Sequence, residues 1–293
     1  MSIVIIVFLL DMQKESYRHL SFESSMRFLD EFFRILSELF AIFSDDHSYC
    51  DIRRQMNTEE ILIGIRRHWI IHQEEALREL EIALQNEQEL NSIALVGPVG
   101  VGKSLVVNSL VAAFPWPKNV YIYAWNMDIK DESEKFRMLR MIIQKFSDCG
   151  CNLLIVENLQ ASDHALVFLL KDYIEKIINK SKRIIIVYVF KLISTTDEYL
   201  RERQRASLMK SLTEEYVVNF NAFTKKELED CIYREMRLEK INLQPEDFNK
   251  IIETIDVTRS GCRNVNERVL MYGTAPRRLY NYITVIFNFL KNF

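Results

Sequence analysis

The run Gly97-Pro98-Val99-Gly100-Val101-Gly102-Lys103-Ser104 constrains this chain more than any other feature. It fills the pattern Gly, four free positions, then Gly-Lys-Ser/Thr. Such a loop works between a strand and the first turn of a helix. There its backbone N–H groups and the helix dipole converge on phosphate oxygens. Both flanks agree. Ile93-Ala94-Leu95-Val96 is an apolar run that predicts a buried strand, and the segment from Leu105 to Val111 predicts the start of a helix. The plain alternative is a glycine-rich turn, but motif and flanks together favour a phosphate loop. Gly97 through Leu105 are therefore the candidate nucleotide contacts, with ATP as the expected ligand. Lys103 is expected on the β- and γ-phosphates, and the Ser104 hydroxyl on Mg²⁺.

The 293 residues suggest two domains, and 48% hydrophobic content is enough for a sizeable core. A net charge of −3 gives no general reason to expect nucleic acid or an anionic membrane as partner. Of only 7 glycines, Gly97, Gly100 and Gly102 lie in the loop, where backbone freedom is needed. The cysteines Cys50, Cys149, Cys151, Cys231 and Cys262 form no Cys-x-x-Cys pair, which argues against structural zinc. Their number is odd, and composition does not choose between reducing and oxidising compartments. The apolar start, Ser2 to Leu10, is far shorter than the ~20 residues of a membrane helix. It also lacks the basic lead and small-residue cleavage site of a signal peptide. A degraded targeting segment, a strand and a docked helix all fit it. No other stretch is long enough to span a bilayer, so no membrane-spanning helix is expected.

Residues 16–43 carry Leu20, Met26, Leu29, Phe33, Leu36 and Phe40 at broadly helical steps. A helix docked on the body is the first reading; a partner-binding or membrane-surface helix is the second. Residues 58–85 are a further helical region. Beyond the loop, strands are expected at 120–123, 153–156 and 183–190, with helices over 134–146 and 163–179 between them. That alternation implies a parallel sheet with crossover helices. After about residue 205 the strand signal fades. Thr224-Lys225-Lys226-Glu227 is a capping box opening a helix to about Lys240, and Pro245 opens another to about Ile255. The expected organisation is an extension over 1–48, a nucleotide-binding α/β domain over 49–205, a small helical domain over 206–270 and an aromatic extension over 271–293.

Hydrolysis needs more than the loop. An acidic pair usually ends a neighbouring strand: an Asp that orients Mg²⁺ through water and a Glu that polarises the attacking water. The matching strand here, Leu153 to Val156, ends in Glu157-Asn158. Glu157 is the expected metal ligand and Asn158 the water-positioning group. A structural carboxylate is the alternative for Glu157. Asn158 can position water but cannot take its proton, so binding should survive more readily than hydrolysis. A polar residue after strand 184–190 should hold the same water. Lys191, Ser194 and Thr195 are candidates, and periodicity does not select one.

Over about residues 48–270 the chain resembles the torsins, AAA+ proteins of the endoplasmic reticulum and nuclear envelope. The residues that carry this are the phosphate loop, Glu157-Asn158, Cys231-Ile232-Tyr233-Arg234-Glu235-Met236-Arg237, and Gly261-Cys262-Arg263 followed by Val265 to Val269. His72-Gln73-Glu74-Glu75-Ala76 also resembles the segment that precedes the loop in torsins and their bacterial disaggregase relatives. The resemblance implies a P-loop AAA+ domain, a three-layer αβα parallel sheet, followed by a small helical lid. It implies ATP with Mg²⁺ and Arg263 as a sensor reaching the nucleotide. It also implies a redox-sensitive disulfide between Cys231 and Cys262, two buried free thiols being the alternative. Other expectations from it are a ring of AAA+ subunits, a membrane-anchored activator that supplies an arginine finger, and remodelling of protein or membrane assemblies. Asn179-Lys180-Ser181 is a glycosylation sequon consistent with a luminal site. The chain departs from torsins in having Glu157-Asn158 for Asp-Glu, Arg263 for the sensor Lys, no evident sensor Asn, and no clean signal sequence. Those departures keep two other readings open: a non-hydrolysing pseudo-ATPase scaffold or inactive ring subunit, and a cytoplasmic P-loop NTPase.

Overall fold

The structure is a computed structural model. It describes residues 57–274 apart from 68–69, 71, 126–128, 130, 149, 178–182 and 214. The expected extension over 1–48, the aromatic segment beyond 274, the sequon at Asn179, Cys50 and Cys149 all lie outside the described residues.

Five parallel strands form one sheet: β1 (Leu90–Gly97), β2 (Val120–Ala124), β3 (Cys151–Gln160), β4 (Arg183–Lys191) and β5 (Tyr216–Asn219), in the spatial order β2-β3-β4-β1-β5. The central three are near-continuous apolar runs because both sheet faces are covered. On one face Leu95, Leu153, Ile155 and Val187 pack with Val106 and Leu110 of α3 (Lys103–Ala113), and with α1 (Thr58–Arg67) and α2 (Glu74–Gln85). On the other, Val96, Leu154, Val156 and Ile186 pack with α4 (Glu132–Ile143), α5 (Ala165–Ile177) and Leu208 of α6 (Glu198–Ser211). Each such fully buried side chain stabilises the fold by about 1.5–3 kcal/mol relative to exposure.

Two elements escape the sequence reading. The helical region over 58–85 is two helices, α1 and α2. Beyond β4, α6 crosses residue 205 and leads into β5, whose residues pair with Ile93 to Val96 of β1. The boundary expected at 205/206 thus falls inside α6, and the sheet continues to Asn219. β5 is four residues long, too short for a periodic signal to rise above its surroundings.

The chain then folds into four helices: α7 (Lys225–Glu239), α8 (Pro245–Thr254), α9 (Val257–Ser260) and α10 (Val265–Tyr272). The capping box at Thr224 is formed, with Glu227 accepting a 2.7 Å bond from the Thr224 N–H. Leu228, Ile232, Ile251, Val265 and Val269 join the core on the α3 side of the sheet. This is the small helical unit expected as the lid. Gln73 (1% exposed) ties its root to α2, donating to the Asn221 carbonyl at 3.0 Å and accepting from the Asn221 N–H at 2.9 Å. No helix among the described residues is long and apolar enough to cross a membrane.

Candidate functional site

β1 is the strand between β4 and β5, and its C-terminal end delivers the phosphate loop. The loop curls over the N-terminus of α3, the natural place for an anion. Lys103 is 6% exposed, and its ammonium donates to the carbonyls of Gly97 (2.7 Å) and Pro98. Burial lowers its pKa to about 7. Among the described residues no carboxylate offsets that burial, so an anion placed here would favour the charged form.

The lid sits on this loop. The Cys262 N–H donates to the Gly100 carbonyl at 3.0 Å. Gly100 (φ +76°) and Gly261 (φ +56°) meet back to back. A Cβ on Gly261 would lie 2.6 Å from the Gly100 carbonyl, and one on Gly100 would lie 1.9 Å from the Ser260 carbonyl. Only two glycines allow this approach. Two further links hold it. The Ser194 hydroxyl donates to the Arg259 carbonyl at 2.6 Å, and His72 meets Asp230 of α7 at 2.7 Å. Cys231, buried in α7, is joined by a disulfide to Cys262, with Cα atoms 6.2 Å apart. The bond therefore anchors the turn that touches the loop. Cys151 is a buried free thiol, its pKa pushed up to about 12 by burial.

Loop and lid enclose a cleft of about 530 Å³. Val99, Gly100, Gly102, Lys103, Ser104, Leu105 and Asn158 line it, together with Val189, Lys191, Arg234, Cys262 and Arg263. Val101 is buried beneath the loop, and Gly97 and Pro98 serve through their carbonyls. Of the three candidates for the water-holding position, Lys191 lines the cleft. Ser194 is engaged with the lid, and the Thr195 hydroxyl accepts the Asp197 N–H at 3.1 Å.

The acidic position differs from expectation. β3 has a register shift between Val156 and Leu159, and Asn158 takes a left-handed conformation, φ +62°. Asn tolerates that conformation better than most residues. The irregularity turns Asn158 into the cleft, whereas Glu157 is not among the lining residues. The Glu157 carbonyl accepts the Trp125 N–H at 2.9 Å, and burial raises its carboxyl pKa with no cation pulling it down. Asn158, rather than the Glu157 that the sequence suggests as metal ligand, is thus the residue of this pair that lines the cleft. A register irregularity cannot be read from an apolar run, so nothing in the sequence marked this.

The residues present do not fit a resident Mg²⁺. Magnesium takes oxygen ligands, commonly one or two carboxylates plus substrate phosphates. Among the described residues the cleft offers the Ser104 hydroxyl and the Asn158 amide, and no carboxylate. It offers cations instead: Lys103, Lys191, Arg234 and Arg263. Sequence reasoning missed Arg234. Its place in the Tyr233-Arg234-Glu235 run marks a helix face but not which neighbour that face meets.

A parallel sheet in the order β2-β3-β4-β1-β5, with a phosphate-loop sequence after β1 and a small helical unit seated on that loop, is an α/β P-loop architecture. No family model matches the chain, and no curated protein does. Among solved structures it is similar to the S. cerevisiae Hsp104–ADP complex, with TM-score 0.49 and 14% identity over 82% of this chain and 50% of that one. A point mutant of Thermotoga maritima RuvB gives 0.46 and 15% over 69% of each chain. Domain III of Thermotoga maritima DnaA gives 0.45 and 13% over 69% of this chain and 83% of that one. The chain spans half the length of the Hsp104 chain.

Proposed function

We propose that this protein is a nucleotide-binding AAA+ protein of torsin-like kind, which holds ATP between phosphate loop and lid and hydrolyses it slowly on its own. One observation carries the reading. The complete loop Gly97–Ser104 is clasped by the Gly261-Cys262-Arg263 turn through the bond from Cys262 to Gly100. Any ligand on the loop is therefore felt by the lid. A second cleft of about 880 Å³, between Ile70–Leu77 and α7, shares Arg234 with the first.

Within this reading Lys103 exchanges its two carbonyl partners for phosphate oxygens. Loop N–H groups and Arg263 hold the remaining charge. Asn158 can orient a water, but no described lining residue can accept its proton. Slow turnover follows. Rate would come from a membrane-anchored activator supplying an arginine in trans, an addition worth orders of magnitude in NTPases generally. Remodelling of protein or membrane assemblies at the endoplasmic reticulum or nuclear envelope, by a ring of such subunits, is the role that fits. The Cys231–Cys262 disulfide supports an oxidising compartment. A second reading is a non-hydrolysing scaffold or an inactive subunit of a mixed ring, favoured by the same lack of a carboxylate among the described lining residues.

The test is calorimetric ATP binding and multiple-turnover phosphate release on one preparation, with and without an activator domain. Binding with turnover stimulated by the activator supports the first reading. Binding with no turnover in either case leaves the scaffold. No binding removes both.

A further inference from the structure

We infer that this cleft takes the nucleotide triphosphate as the free anion, with Lys191 and Arg234 doing the charge-neutralising work usually left to a divalent cation. The inference rests on the nucleotide reading above and goes beyond it in specifying the form of the ligand.

Three observations carry it. First, position. β4 lies between β1 and β3, and Lys191 ends it, in register with Gly97 on one side and Gln160 on the other. Val189 and Lys191, two residues apart, both line the cleft, as the strand period requires. Lys191 therefore stands between the root of the phosphate loop and Asn158. That is the γ-phosphate end, because the loop lysine beside it serves the β- and γ-phosphates. Second, availability. Neither Lys191 nor Arg263 makes a side-chain hydrogen bond or ion pair with a described residue. Arg234 lines the cleft and its Nη1 lies 3.6 Å from the carboxylate of its neighbour Glu235. Third, charge. A triphosphate carries about four negative charges near neutral pH, about two of them on the terminal phosphate. Lys191, Arg234 and Arg263, with Lys103 once an adjoining phosphate favours its charged form, match that number without a metal. A dication added there would find phosphate oxygens but, among the described lining residues, no carboxylate, and would compete with those cations for the same oxygens.

The experiment is titration of the full chain with ATP, by calorimetry, in excess EDTA and in excess Mg²⁺. ATP affinity in EDTA that equals or exceeds the affinity in Mg²⁺ is the expected result. ATP binding more than about threefold tighter with Mg²⁺ overturns the inference while the nucleotide reading stands. No binding in either condition overturns both. Lys191→Met, which keeps side-chain length, is expected to lose about tenfold in ATP affinity in EDTA, to recover part of it when Mg²⁺ is added, and to bind ADP nearly as wild type. Equal losses for ATP and ADP in both conditions would assign Lys191 a structural part and overturn its role here. A thermal melt matching wild type shows that the variant folds. Arg234→Gln is the second arm, with the same expected recovery by Mg²⁺.

Discussion

At the end of β1, the eight residues Gly97 to Ser104 keep every position a phosphate loop requires, and the lid turn is seated on them backbone to backbone. At the ends of β3 and β4, a few ångströms of sheet away, Asn158 and Lys191 stand where chemistry needs a carboxylate and a neutral water-holder. In the proposed reading the binding half of the cleft is complete and the hydrolytic half is not. Binding and turnover make separate demands: binding needs fixed donors and positive charge, whereas turnover also needs a proton acceptor placed against water. A cleft can meet the first demand without the second.

The largest expected effect tests the intact half. Lys103→Ala should weaken ATP binding by at least about a hundredfold, since it removes the buried cation at the β- and γ-phosphates. Near wild-type affinity by calorimetry would show that the loop does not hold phosphate. Next comes the bond that anchors the lid turn. Cys231→Ser opens a loop closed across 31 residues, for which the chain-entropy account gives about 3–4 kcal/mol of lost stability. Chemical denaturation with and without reductant measures it. The variant should be insensitive to reductant, and wild type under reductant should fall to the variant's stability.

Gly261→Ala is expected to cost about 2 kcal/mol, from backbone strain at a positive φ and collision with Gly100. Because the collision is with the loop, ATP affinity should drop as well. A variant destabilised with unchanged affinity would separate lid from site and weaken the contrast drawn above. The smallest effect probes the incomplete half. Asn158→Glu supplies the missing carboxylate but sets a Glu at φ +62°, which costs about 1 kcal/mol. Phosphate release should rise less than about tenfold. Adding Lys191→Asn to that variant should raise it further, by restoring a neutral water-holder. Wild-type turnover already equal to that of the double variant would mean that the base lies elsewhere.

Much of the frame was legible from local pattern. The loop, the β1, β3 and β4 runs, and the capping box at Thr224 depend on residues near in sequence, and each formed where its pattern lies. β5 and α6 were not legible. Tyr216–Asn219 becomes a strand because β1 offers an open edge, and α6 is polar over most of its length, with Arg201 and Leu208 as its buried residues.

The sequence alone determined that a phosphate loop joins a buried strand to a helix, because glycine positions and apolar runs act through the backbone over a few residues. Tertiary structure decided what surrounds that loop. It put Lys191 in the lining and Ser194 on the Arg259 carbonyl, turned Asn158 inward while leaving Glu157 out of the lining, brought Arg234 from α7, and set Gly261 against Gly100. Each of those outcomes depends on which strands neighbour one another and on how a helix far downstream closes over the loop, and residue spacing within one segment does not encode such distances.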